Sequence, residues 1–348
     1  MNIRYLQKMI SDMEDIIVID RNVRINDVLC NVMGLLREEG KWQLLVLQYD
    51  ENYQRRIGAE EASYQEELRR PLSNRELMQK QRRIDMAETL QTARKVCIGK
   101  EEYEIRGMEL RKLGEQKWKE VYLISEFLRR GWKPKEIASE DMDMLFLARI
   151  QLEAADDREP AFGEGDAVRF IMGISHTHAL VEIPLTLTVN GGNYGKRWFQ
   201  DTASGEEHWV QIHQVYLLDM EAQLEETFAN PKLLENMTQE ELVRSKADLK
   251  EKLREICPED MYFPVIEYEC EENISLQFYT KEYLDGPVPV NRNGSMGFMI
   301  RPKQQEDGLG RKMKAAVIQQ PVPKDTSDIE VEIFEYIESA ALEDIILE

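Results

Sequence analysis

The chain has 348 residues, a hydrophobic fraction of 42% and a net charge of −21, which is enough length and apolar content to bury a sizeable core and excludes a disordered chain. The charge is unevenly spread: the first 150 residues are neutral overall, so the whole acidic excess falls after residue 150. An acidic surface of that size repels anionic polymers and lipid, which speaks against duplex nucleic acid as a partner.

The opening stretch, MNIRYLQKMISDMEDIIVID, is broken by Lys8, Asp12, Glu14 and Asp15. It does not read as a signal peptide, and no run in the sequence reaches the roughly 18 apolar residues of a membrane span. The four cysteines, Cys30, Cys97, Cys257 and Cys270, form no CxxC pair, as expected of free thiols in a reducing compartment. These features together predict a cytoplasmic protein that does not engage a membrane.

Along INDVLCNVMGLLREEG, Ile25, Val28, Leu29, Val32, Leu35 and Leu36 recur at three-and-four spacing, which predicts a helix stopped by Gly40. Residues 41–49, KWQLLVLQY, have the length and content of a strand. From residue 59 to 98 apolar residues thin out and arginines accumulate. Ser73 and Glu76 have capping-box spacing and predict a helix over 74–97. Arg75, Gln79, Arg82 and Arg83 lie near one another on its side, a candidate surface for an anion or a partner. Further helices are predicted over 107–130, ended by Gly131, and over EDMDMLFLARIQL, burying Met142, Leu145, Phe146 and Ile150.

The polar, turn-rich ADDREPAFGEGDA predicts a domain break between about 152 and 166. Beyond it the apolar period shortens toward two. Strands are predicted through AVRFIMGI, ALVEIPLTLTVNGGNYGKRWF, HWVQIHQVYLL, FPVIEYECE, ISLQFYTKEYL, MGFMIRP, KMKAAVIQQP and IEVEIFEYI. Asn190-Gly191-Gly192-Asn193 has the composition of a hairpin turn, and Thr238 with Glu241 opens one inserted helix, about 239–256. The expected class is α+β. Its parts are a helix-rich, charged domain over 1–155 with a short sheet near 41–49, then an acidic, mainly antiparallel β-rich domain over 166–348, a sandwich or partly closed barrel.

All four histidines fall between 176 and 213. In a strand His176, His178 and Glu182 share one face, and two imidazoles with a carboxylate are a familiar set for a divalent transition metal. The spacing His176-x-His178-x3-Glu182 resembles part of the first metal motif of cupins, and Gly205-Glu206-Glu207-His208 is similar to the start of their second. The resemblance covers these residues alone: Phe170, Val189, Ala203 and Ile212 stand where the family pattern has two glycines, a proline and an asparagine. It implies a single divalent metal held by His176, His178, Glu182 and His208. Arg292 and Arg301, scarce cations in an acidic half, are further candidates for meeting an anion or partner.

No Gly-x-Ser-x-Gly elbow, Walker phosphate loop or dinucleotide fingerprint is present, so no catalytic residue is assigned. The sequence therefore predicts a cytoplasmic binding or scaffold protein without its own catalysis, acting on a protein partner and holding no cofactor. The alternatives are a metal-dependent enzyme on the β-rich domain and weak nucleic-acid binding by the basic helix face.

Overall fold

The structure, a computed structural model, describes residues 2–58, 72–84, 87–114, 117–154, 160–163, 165–192, 194–201, 205–229, 238–288, 302 and 312–347. It is mainly antiparallel β with helices inserted between strands, and its residues divide into two compact units. One comprises Met1–Arg69, Arg83–Ser175 and Ala340–Glu348, the other Arg70–Arg82 and His176–Ser339.

In the first unit α1 (Ile3–Asp12) leads into β1 (Met13–Ile25), β2 (Val28–Glu38) and β3 (Lys41–Tyr49), and residues 51–58 are helical. Helix α2 (Asn74–Ile84) follows, its residues through Arg82 counting in the second unit. The chain then returns to the first unit with β4 (Ala93–Ile98), β5 (Glu101–Lys112), α3 (Trp118–Arg129), β6 (Leu145–Ala154) and β7 (Val168–Met172). The last strand of the chain, β16 (Ile345–Leu347), belongs to the same unit. These eight strands form one sheet in the order β1-β2-β3-β6-β5-β4-β7-β16, and β16 also approaches β1, so the sheet is barrel-like and nearly closed.

A helix-rich N-terminal part is therefore corrected to a sheet. Ile25 pairs with Val28 across a turn in which Asn26 and Asp27 hold φ of 49° and 65°, the left-handed conformation that two-residue hairpins require and that short polar side chains tolerate. Helical spacing misled here because every residue from Val28 to Leu36 is buried. Val32 and Leu35 join one apolar core of the sheet, while Met33 and Leu36 join another with Leu123 and Phe127 of α3. A strand covered on both faces is a continuous apolar run that fits any period. The helix expected over 107–130 is instead β5 followed by α3. That expected over 74–97 ends at Ile84 and gives way to β4, and from Leu145 onward EDMDMLFLARIQL is β6.

Gly34 marks a register shift in the β2 to β3 pairing and has φ of +151°. A Cβ there would stand 2.0 Å from the Ile17 carbonyl oxygen, so only glycine fits this approach.

The second unit contains β8 (Ile174–Thr188) from His176 onward, β9 (Lys196–Gln200), β10 (Glu207–Leu218), α4 (Met220–Phe228), α5 (Gln239–Ile256) and β11 (Met261–Cys270). β12 (Ile274–Thr280), α6 (Lys281–Asp285), β13 (Lys314–Val317), β14 (Val322–Pro323) and β15 (Asp328–Ala341), counted through Ser339, follow. Both Thr238–Glu241 bonds of the α5 capping box are formed. One sheet has the order β13-β11-β10-β9 with β14 beside β11, and the other runs β12-β15-β8. Leu185, Phe199, Ile212, Tyr268, Leu276 and Ile333, drawn from both sheets, share one core. The turn at Asn190, φ 58°, carries the chain from β8 in one sheet to β9 in the other, so the two strands do not pair as a hairpin.

Candidate functional site

Along β8, Ala179, Val181, Ile183, Leu185 and Leu187 contribute to the core. Alternation therefore places His176, His178 and Glu182 together on the outer face of the β12-β15-β8 sheet. His176 Nδ1 lies 3.0 Å from Ser339 Oγ, and His178 Nδ1 lies 3.6 Å from Oε1 of the buried Glu335. Glu182, at φ 58°, is taken by side chains of α2: Arg75 Nη1 donates to it at 3.1 Å and Gln79 Nε2 at 2.6 Å.

His208 is elsewhere. It shares the alternation of Val210 and Ile212, so its ring points inward from β10, against Phe199 and Tyr336 with ring centroids 5.5 and 4.8 Å away. Tyr336 donates its hydroxyl to Asp201 Oδ2 at 3.0 Å, and His208 Nε2 is buried without a hydrogen-bond partner. The fourth histidine, His213, meets Glu269 at 3.1 Å. The structure thus gathers His176, His178 and Glu182 on one face and leaves His208 inside the core. Among the described residues no three His, Cys, Asp or Glu side chains form a group able to hold a metal ion.

Arg75 joins two predictions that the sequence kept apart. Its guanidinium donates to both carboxylate oxygens of Glu332, at 2.7 and 2.6 Å, to Asp285 at 3.1 Å and to Glu182, and it lies over the Phe334 ring at 5.8 Å. The bidentate pair with Glu332, followed by the bonds to Asp285 and Glu182, holds the guanidinium charged more firmly than usual against the opposing effect of burial. Arg82 and Arg83 lie on α2 with side chains outside the described residues, and Arg292 and Arg301 lie wholly outside them.

A second surface was not found from the sequence. β9 ends the β13-β11-β10-β9 order, so one edge of its backbone has no strand neighbour among the described residues. Trp198 on this strand stands directly opposite Trp209 and is 57% exposed. The Lys196 ammonium sits 4.4 Å from the centre of the Trp198 ring and 3.9 Å from that of Trp209, close enough to both π faces for cation–π attraction. The available signal was the alternation in KRWF: with Phe199 in the core, the neighbouring tryptophan must point out.

The four thiols are free, and burial holds each of them protonated. It pushes Cys30 up to about 12 and Cys270 up to about 11, the latter despite the nearby Lys314, and it also raises Cys97 and Cys257. A thiol so held is a poor nucleophile. Among the described residues no helix is long and apolar enough to cross a membrane. Comparison of the chain with protein-family models, with curated proteins and with solved structures gives no match.

Proposed function

We propose that this chain is a cytoplasmic binding or scaffold protein that acts through protein–protein contacts and carries no catalysis of its own. The observation that supports this most is the edge of β9, which has no strand neighbour among the described residues, with its Trp198, Lys196 and Trp209 ridge. An edge strand offers a row of backbone donors and acceptors to an incoming extended segment, and alternate side chains then select it. Tryptophan is the residue type most enriched among interface residues whose loss destroys binding. Lys196 and Arg197 on the same strand oppose pairing with an identical edge and favour an acidic segment of a different protein. The four free, protonated thiols are in keeping with a reducing compartment.

The test is cross-linking in native cell extract from a photoreactive group placed at Gln200, read by mass spectrometry. One partner should be captured by the wild-type chain and lost in Trp198→Ala with the thermal unfolding curve unchanged. Capture that is the same in both would remove β9 as the contact. Elemental analysis addresses the metal alternative: one equivalent of transition metal, lost in both His176→Ala and His208→Ala, would overturn the non-catalytic reading.

A further inference from the structure

Helix α2 carries a set of polar contacts to the second unit. Asn74 is its only buried residue among the described side chains, and Leu77 and Met78 are half-buried. Helix α5 differs, because its Leu253 packs with Cys257 and Phe263. The polar contacts of α2 fall at its first turns. The Asn74 amide donates to Gly286 O at 2.9 Å and its Nδ2 to Tyr283 O at 2.9 Å. Ser73 forms an isolated bridge with Pro287, Arg75 engages Glu332, Asp285 and Glu182, and Gln79 adds a bond to Glu182.

The surface underneath is shaped for this kind of contact. Glu332 and Phe334 are both buried, the one gripping the guanidinium fork and the other lying against its face. A planar cation stacked on a ring and bonded bidentately to a carboxylate is recognition that lysine cannot reproduce. The match is nevertheless incomplete. Asn74 Oδ1 is buried without a partner, an arrangement that weakens binding. Among the described residues three carboxylates meet the one guanidinium, and Lys281 approaches Asp285 at 3.9 Å.

We infer that the outer face of β8 and β15, with α6 beside it, is a docking site for an arginine-bearing helix, and that α2 occupies it in cis. The displacing ligand is a partner protein's helix with an arginine in its first turn and a second cation to meet the remaining carboxylate charge. Removing α2 would free Glu332, Glu182, Asp285 and the Phe334 ring for that helix. This site is separate from the β9 edge and stands or falls without it.

The experiment uses the full chain and a fluorescent synthetic peptide with the sequence of residues 72–84. Arg75→Asp places a fourth negative charge in the site and should expel α2. That variant is expected to bind the peptide at least about tenfold more tightly than the wild type, whose site is already filled, and Glu332→Ala added to it should abolish the binding. Hydrogen exchange should leave β12 and β15 as protected in Arg75→Asp as in the wild type. The proposal is overturned if the folded Arg75→Asp chain binds no better than the wild type. It is equally overturned if β12 and β15 lose protection, because α2 would then be an integral part of the fold rather than a ligand of it.

Discussion

The two units bury charge differently. In the first unit two apolar cores lie on either side of the strands β2, β3 and β6, and its buried charged side chains among the described residues are Asp50, Glu120 and Arg149. In the second, Asp201, Glu267, Glu269, Glu332 and Glu335 are all buried, in the half of the sequence that carries the whole acidic excess. Apolar packing is non-directional and is not weakened by charge screening, whereas buried carboxylates demand particular donors. The first unit is thus held mainly by apolar packing, and the second leans more on the pairing of buried charged side chains.

The largest effect that would sharpen this contrast is expected at Phe127, fully buried beneath α3. Phe127→Ala should cost about 3–5 kcal/mol, the same at low and high salt, as measured by denaturant unfolding. Arg75→Ala strikes the second unit and should cost about 1.5–3 kcal/mol in the docking of α2, the range for bonds to charged groups, read at low ionic strength as faster exchange of the α2 amides while β12 and β15 keep their protection, with the loss shrinking as salt rises. A salt-independent loss there would break the comparison. Trp132 Nε1 donates to Asn31 Oδ1 at 2.8 Å inside the first unit. Trp132→Phe should cost about 1–2 kcal/mol by stranding that buried oxygen.

A smaller effect concerns acid. Burial pushes the Glu38 carboxyl up, but hydrogen bonds and charge from Lys119 and Arg149 outweigh it and leave the group below its ordinary value. A carboxylate depressed in the folded state stabilises fully above its unfolded pKa, and that contribution disappears as pH falls through the folded one. The melting temperature should therefore fall on acidification through the lower carboxylate range, and Glu38→Gln should flatten that part of the profile. The smallest effect on stability is expected for Trp198→Ala, within about 0.5 kcal/mol, although it should remove binding at β9. A loss above 2 kcal/mol would show that the ridge serves the fold.

Legibility in the sequence followed burial. Strands with one wet face, such as β12, alternate cleanly between buried and open positions and were found from their period. The reach of the capping box at Thr238 is local, and it too was found. β2 was missed because burial on both faces erases its period, and because Asn26-Asp27 was not recognised as a turn. At the candidate site, the shared face of His176, His178 and Glu182 was readable from parity. That Glu182 answers to Arg75, 107 positions away, was not, since ion pairs across such distances leave no local pattern. The inward aim of His208 is carried by its parity with Val210 and Ile212, which are apolar where Gln211 and His213 are polar.

β16 has a consequence for how the molecule is made. This strand pairs with β7, and Arg169 of β7 holds Asp344, 175 residues later. The ribosome delivers seven strands of the first sheet early but its eighth only after the whole second unit has emerged. During that interval the edge of β7 that β16 will cover is open, a template for stray pairing. Leu347, buried in the core of the first unit, sets the final seal. Nascent chains stalled before Asp344 should be more readily cleaved within β7 than chains stalled with β16 clear of the exit tunnel, so the order of synthesis makes the first unit the last to finish folding.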